Sequence, residues 1–265
     1  MSDLDGTLLL PGAHLGEATA AALESLHEEG IPFVVATGRS IYGMEALGAS
    51  RRLVQVAVCS SGSIGYDPAS ERILWRRPLD PATLERVVAA ILEEVPDAGI
   101  GSFDGGSWAV TPSYLAARGA WPTGPRRIVE PEALVSSGGC ALVVSHAELR
   151  SADIAARLRE AGIEGSEATL TWAGPAMLDI VSPDVDKAYG VRRACELLGV
   201  APEDVVAFGD GPNDLSMFRI VGLAVAVANA HPDVLRAADL VTASNEEEGV
   251  ASMLADLGLI APGVA

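Results

Sequence analysis

Two carboxylates stand close together at the start of this chain, in Asp3-Leu4-Asp5-Gly6-Thr7. On an extended segment, residues two apart share a face, so both acids are predicted to point the same way. Gly6 allows a tight turn directly afterwards, and Thr7 places a hydroxyl beside it. Such a pair suits a cation and an electrophile: one carboxylate attacks, while the other donates and later removes a proton. A calcium loop is excluded, because an EF-hand counted from Asp3 needs Gly and Glu where the chain has Leu8 and His14.

Three further segments have residue types suited to an anion or a metal. Thr37-Gly38-Arg39 follows the apolar run Ile31–Ala36, and a hydroxyl and N–H groups at the C-terminal end of a strand can cradle a phosphate. Lys187 stands at the predicted start of a helix, where a cation is mildly unfavourable unless an anion sits beside it. An exposed lysine bridging to Asp184 or Asp186 is the plain alternative. Gly209-Asp210-Gly211-Pro212-Asn213-Asp214 follows another apolar run and opens a helix. Pro212 suits a first helical turn, and Asn213 or Asp214 could cap it. Capping accounts for one acid but not for a carboxylate at each end of the loop, which a metal site does explain.

Other segments carry less. Ser244-Asn245-Glu246-Glu247 fits a capping box at the start of the last helix. The four histidines show no ligand spacing, and neither a P-loop nor a dinucleotide-binding glycine pattern is present. Cys59, Cys140 and Cys195 lie in apolar contexts and read as small core residues.

The elements that must position these residues alternate in kind. Leu15, Ala18, Ala22, Leu23 and Leu26 recur at helical spacing, with Gly30 closing the helix. Ile31–Ala36 and Val54–Cys59 read as buried strands, Met44–Leu47 as a short helix, and Ile64–Tyr66 with Ile73–Trp75 as a hairpin. Asp80 is a predicted N-cap with Pro81 at the first helical position. Beyond it come strands at 99–103, 108–111, 141–145, 168–172 and 177–181, and a helix at 152–161. A Pro/Gly/Arg-rich stretch covers 119–127. The last third returns to strand–helix alternation, with strands at 205–208, 223–227 and 240–242. The pattern predicts an α/β core of residues 1–78 and 183–265, interrupted by an α+β module of residues 79–182.

Composition narrows the partners. Thirty-six acids against 18 Lys and Arg give a formal charge of −18, which argues against a nucleic-acid partner. No apolar run approaches the ~20 residues needed to span a bilayer, and no signal segment opens the chain, so no membrane partner and a cytoplasmic location are expected. A small phosphorylated metabolite remains compatible, since a metal and a local cation can reverse the sign inside a pocket.

In this order, Asp3-Leu4-Asp5-Gly6-Thr7-Leu8, Ala36-Thr37-Gly38-Arg39, Lys187 and Gly209-Asp210 through Asn213-Asp214 resemble the haloacid dehalogenase superfamily, specifically its Cof-type (subclass IIB) phosphatases. Val227-Ala228-Asn229-Ala230 and Glu248-Gly249-Val250-Ala251 are also similar to that subgroup. The resemblance implies a doubly wound, Rossmann-like parallel sheet with an inserted α+β cap domain. It implies a Mg²⁺-dependent hydrolase of small phosphate monoesters such as sugar phosphates, working through an aspartyl-phosphate. By the same resemblance Asp3 is the nucleophile and Asp5 the acid/base. Thr37, Gly38, Lys187 and Asn213 hold the phosphoryl oxygens, and Asp3, the Asp5 carbonyl and Asp210 hold the metal with Asp214 in support. Arg39 is the expected substrate contact outside the cap. Trp108, Trp121, Trp172, Arg126 and Arg127 could line the pocket or simply pack and solvate the module, and the plain packing reading is taken for each. Two departures stand out. Relatives carry an apolar strand before the first Asp where only Met1 and Ser2 precede Asp3, so the first core strand is expected to be truncated. Ser61-Gly62-Ser63 replaces the usual Asn-Gly-Ala. A phosphomutase, or a non-catalytic metabolite-binding protein disabled by the missing strand, are the alternative readings.

Overall fold

The structure, a computed structural model, describes residues 1–118 and 123–261. Trp121 lies outside the described residues. Phe33–Ala36 and Val54–Cys59 pair in parallel, as do Val206–Gly209 with Leu223–Val227 and Leu223–Val227 with Leu240–Thr242. The hairpin Ile64–Asp67/Arg72–Arg76 adds an antiparallel edge to Val54–Cys59. Phe33–Ala36, Val54–Cys59 and Leu223–Val227 are apolar and buried along nearly their whole length, as strands covered on both faces must be.

Residues 1–3 join the two halves of this sheet. Ser2 bridges in parallel to Val35 on one side and to Phe208 on the other. The Ser2 and Asp3 N–H groups donate to Val34 and Phe208 (both 3.0 Å), and Ala36 and Phe208 donate back to Ser2 and Met1 (2.9 and 3.0 Å). Three residues therefore hold the central position at the level of the chemistry. Below them, Met1, Phe33, Val34, Val205, Val206 and Leu254 border an apolar groove of about 150 Å³.

A second, six-stranded sheet is built from Gly99–Phe103, Trp108–Val110, Arg126–Ile128, Ala141–Ser145, Thr169–Trp172 and Met177–Val181. It has its own apolar cluster, in which Leu84, Val87 and Ile91 of the helix Pro81–Glu94 pack on Ile100, Leu142, Val144 and Ile180. That helix begins as its sequence predicts, with Asp80 accepting from the Ala82 and Thr83 N–H groups (3.0 and 3.2 Å) and Pro81 in the first turn.

Several expectations need correction. Helices at Pro112–Arg118, Pro131–Ser137 and Pro232–Ala237, and the strand Arg126–Ile128, are not evident in the pattern. All three helices are short, and each starts on a proline, which reads equally well as a loop signal. The short helix at Met44–Leu47 belongs to a longer run of tight turns over Ile41–Leu53, broken at Gly48 with φ +54°. The three cysteines are buried and unpaired, and burial pushes the Cys140 thiol up to about 11. No helix among the described residues is long and apolar enough to cross a membrane.

Replacing Asp80 by Ala should cost about 1 kcal/mol, because two first-turn N–H groups lose their acceptor. Urea unfolding of the variant would show this as a lower midpoint at unchanged slope.

Candidate active site

The predicted chemical residues gather at one end of the parallel sheet, around a cavity of about 570 Å³. Asp3, Asp5, Thr37, Gly38, Arg39, Asp210 and Asn213 line it from the core side. Trp108, Trp172, Met177 and Asp179 line it from the second sheet. Sites at the carboxyl ends of parallel strands are what an open α/β sheet provides.

Asp3 ends the central three-residue segment, 6% exposed, with Oδ1 accepting from the Leu4 N–H at 2.7 Å. From Leu4 to Leu8 the chain makes one wide turn, closed by the Leu9 N–H onto the Leu4 carbonyl. Gly6 is required there twice over. Its φ is +73°, and a Cβ would stand 2.5 Å from Asp210 Oδ2. The turn modifies the prediction of two acids on one extended face: both reach the same cavity, but Asp5 does so from the turn and is exposed. Thr7, which the sequence marks only as a nearby hydroxyl, donates to Asp210 Oδ1 at 2.7 Å and ties the turn to the opposite loop.

The structure excludes one of the two readings of Lys187. Its ammonium is fully buried, 3.0 Å from Asp3 Oδ1 and 2.6 Å from Asp214 Oδ1, so it is not an exposed bridge to Asp184 or Asp186. Asp186 instead caps the helix Lys187–Leu198 through the Tyr189 N–H. Burial works against the Lys187 charge, but Asp214 and Asp3 outweigh it and hold the group above its ordinary pKa. Lys187 is not among the residues on the cavity wall; it backs Asp3 from behind.

Asp214 is also committed. One oxygen takes Lys187, and the other accepts from the Asp210 and Gly211 N–H groups at 3.0 and 2.9 Å. It therefore fixes the loop that presents Asp210, which is the capping role left open by the sequence. Burial pushes the Asp210 carboxyl up to about 6. Oxygen atoms of Asp3, Asp210 and Asp214 lie within 4.8 Å of one another. Asn213 Oδ1 is buried without a hydrogen-bond partner. Hard carboxylate donors in negative excess fit a small divalent cation.

Thr37 Oγ1 accepts from the Arg39 N–H at 3.1 Å, which leaves its own proton free to donate into the cavity. Arg39, the expected substrate contact, lies on Asp5 in a two-point ion pair, Nε to Oδ2 at 2.6 Å and one terminal nitrogen to Oδ1 at 2.5 Å. Ser61, in the divergent Ser-Gly-Ser turn, donates to Asp179 Oδ2 at 2.6 Å and so links core to second sheet beside Gly38. An acid in the middle of the apolar strand Met177–Val181 is the signal that could have pointed to Asp179. For Trp108 and Trp172 the plain packing reading gives way to the other alternative, since both form cavity wall, whereas Arg126 and Arg127 are not among the lining residues. Trp172 sits against Gly211, where a Cβ would meet its ring at 2.5 Å.

The profile of the haloacid dehalogenase-like hydrolases matches residues 1–254. The chain is 27% identical over 238 residues to an HMP-PP phosphatase of Cronobacter sakazakii, covering 88% of this chain and 85% of that one. It is 28% identical over 275 residues to the putative phosphatase YxeH of Bacillus subtilis, covering 97% of each. The solved subclass IIB sugar phosphatase BT4131 superposes with a TM-score of 0.83 at 22% identity, over 98% of both chains. SMU.1108c from Streptococcus mutans superposes at 0.84 with 20% identity, over 97% of both.

Two outcomes follow from this geometry. Lys187→Met should destabilise the chain by roughly 3–5 kcal/mol, since two carboxylates lose their buried counter-charge; chemical denaturation measures it. Asp210 binds its proton more tightly folded than unfolded, so its contribution is fully present below its unfolded pKa of 3.8 and is lost as pH rises through about 6. With a chelator present, wild type should therefore lose stability between those pH values relative to Asp210→Asn, and the variant should melt higher at pH 7. Added Mg²⁺ should raise the melting temperature of wild type only.

Proposed function

This chain belongs to the haloacid dehalogenase-like hydrolase family, and we propose that it is a Mg²⁺-dependent phosphatase that hydrolyses small phosphate monoesters, sugar phosphates foremost, through an aspartyl-phosphate on Asp3. The observation that carries this reading is the buried Lys187 directly behind the Asp3 carboxylate, at a cavity wall that also holds Asp5, Thr37, Gly38, Asp210 and Asn213. A cavity of about 570 Å³ matches a metabolite-sized ligand. The names of the phosphatase relatives support the same class of substrate. We read residues 79–182 as the cap that closes over the substrate, with Trp108 and Trp172 facing its alcohol portion.

In the first step an Asp3 carboxylate oxygen attacks phosphorus and the ester P–O bond breaks. Its electron pair goes to the leaving oxygen, which takes the proton of Asp5. In the second step the Asp5 carboxylate removes a proton from water as the water oxygen attacks phosphorus, and Asp3 departs as a carboxylate. Lys187 offsets the charge of Asp3 from behind. The Thr37 hydroxyl, the Gly38 N–H and the Asn213 side chain meet the phosphoryl oxygens. A phosphate dianion entering the cavity competes with Asp5 for the Arg39 guanidinium and so releases Asp5 for proton transfer. Asp3, the Asp5 carbonyl and Asp210 would hold Mg²⁺, which, when bound, offsets the repulsion between an anionic nucleophile and a phosphate dianion. Asp214 secures these ligands through the loop and through Lys187.

Phosphate release from a panel of sugar phosphates, with Mg²⁺ or with chelator, tests this reading. Turnover should require the metal and fall to background in Asp3→Asn. Turnover that survives either change would overturn it.

A further inference from the structure

The tail segments around Asn229 and Asn245 are not used by the chemistry above, yet both reach back to the catalytic turn. Asn229 Nδ2 donates to the Gly6 carbonyl at 2.8 Å. Asn229 Oδ1 accepts from the Asn245 N–H at 2.9 Å. The Asn245 side chain in turn donates through Nδ2 to the Leu9 carbonyl at 2.7 Å. The pair thus grips the chain inside the turn, at Gly6, and just beyond it, at Leu9. Neither Asn229 atom could be exchanged for the other, because a rotated amide would set nitrogen against N–H and oxygen against carbonyl.

The capping box predicted for this tail does form between Ser244 and Glu247, but it opens the short turn Asn245–Glu247 and not the last helix, Gly249–Asp256, and it leaves the Asn245 side chain for the catalytic turn. The support beneath is firm. Glu248, held at φ +52°, accepts from the Thr19 N–H at 2.6 Å, and Thr242 Oγ1 donates to the Gly249 carbonyl at 2.7 Å. Asp5, by contrast, is exposed, and no burial fixes its side chain. Once an incoming phosphate draws Arg39 away from it, where the Asp5 carboxyl stands depends on the backbone of the turn, with Asp5 extended and Gly6 at positive φ.

We propose that Asn229 and Asn245 are positioning residues, a two-amide relay from the C-terminal third that holds the Asp5–Gly6 turn so that Asp5 meets the leaving oxygen. The proposal rests on the phosphatase reading above. It separates two kinds of substrate. An alkoxide must be protonated as its bond to phosphorus breaks, whereas p-nitrophenolate departs as an anion without help from Asp5. The ratio kcat/KM reports steps up to that departure and is blind to later hydrolysis of the intermediate.

The experiment compares kcat/KM for glycerol phosphate and for p-nitrophenyl phosphate in wild type, Asn229→Asp and Asn245→Asp, with melting temperatures recorded alongside. Each variant keeps the side-chain shape but replaces a donor to the turn by an acceptor. General acid catalysis contributes about 10²–10⁴-fold, so partial misplacement should lower the alkyl ester value by roughly 10- to 100-fold more than the aryl value. Equal losses on both esters, or no loss on either, would overturn the proposal while wild-type turnover leaves the phosphatase reading standing. A wild-type chain inactive on both esters would defeat that reading and this proposal together. Should one variant fail to fold, the other carries the same expectation.

Discussion

Lys187 holds a positive charge where no water reaches it, and much of the site is arranged to make that tolerable. Burying an ammonium costs several kcal/mol unless carboxylates stand against it. Here two do, at 2.6 and 3.0 Å. Each of those carboxylates brings its own obligations. Asp214 also gathers the backbone of its loop, which aims Asp210 at the cavity, and Asp210 in turn anchors Thr7 in the turn after Asp3. One buried ion cluster thereby sets the mutual placement of the first residues of the chain, the start of the helix Lys187–Leu198 and the loop 209–214.

The cavity has two walls of different character. On the core side Asp3, Asp5 and Asp210 are each tied to a side chain from another element, Lys187, Arg39 and Thr7, so these carboxylates are held in place beforehand. On the side of the second sheet, Trp108, Trp172 and Met177 offer surface without charge, and Asp179 offers one acceptor already linked to Ser61. On the proposed reading the chemistry is thus separated from recognition: changes in the inserted sheet would alter which alcohol fits without disturbing the ion cluster.

The sequence made much of this legible because motif residues in such sites follow apolar strands and begin helices, and both signals are local. Thr37, Asp210 and Lys187 are each found at a strand end or helix start, where pattern reading is strong, and Asp3 is marked by its own motif. It could not see that Lys187 lies between two acids, since Asp3 is near the other end of the chain. Nor could it decide between capping and metal binding for Asp214, because the deciding hydrogen bonds are three and four residues away in a loop of no fixed period. The proline-led helices of the inserted unit were missed for the opposite reason: proline marks helix starts and loops alike. Asn229 and Asn245 look like ordinary turn and cap residues, and only the third dimension sets them against Gly6 and Leu9.

The central position of residues 1–3 has a consequence for how the chain is made. Synthesis delivers Asp3 long before its partners, with Lys187, Val206–Gly209 and Asp214 all in the last third of the sequence. While the chain emerges from a ribosome, Ser2 can pair early with Val34 and Ala36, but its other edge stays open until Phe208 appears. In the meantime the inserted sheet, whose apolar cluster lies almost wholly within residues 79–180, can complete itself. Asp3 then acquires the Lys187 counter-charge only after the inserted unit has been made, and Asp214 joins later still, so a nascent chain cannot complete this ion cluster until most of it has been synthesised.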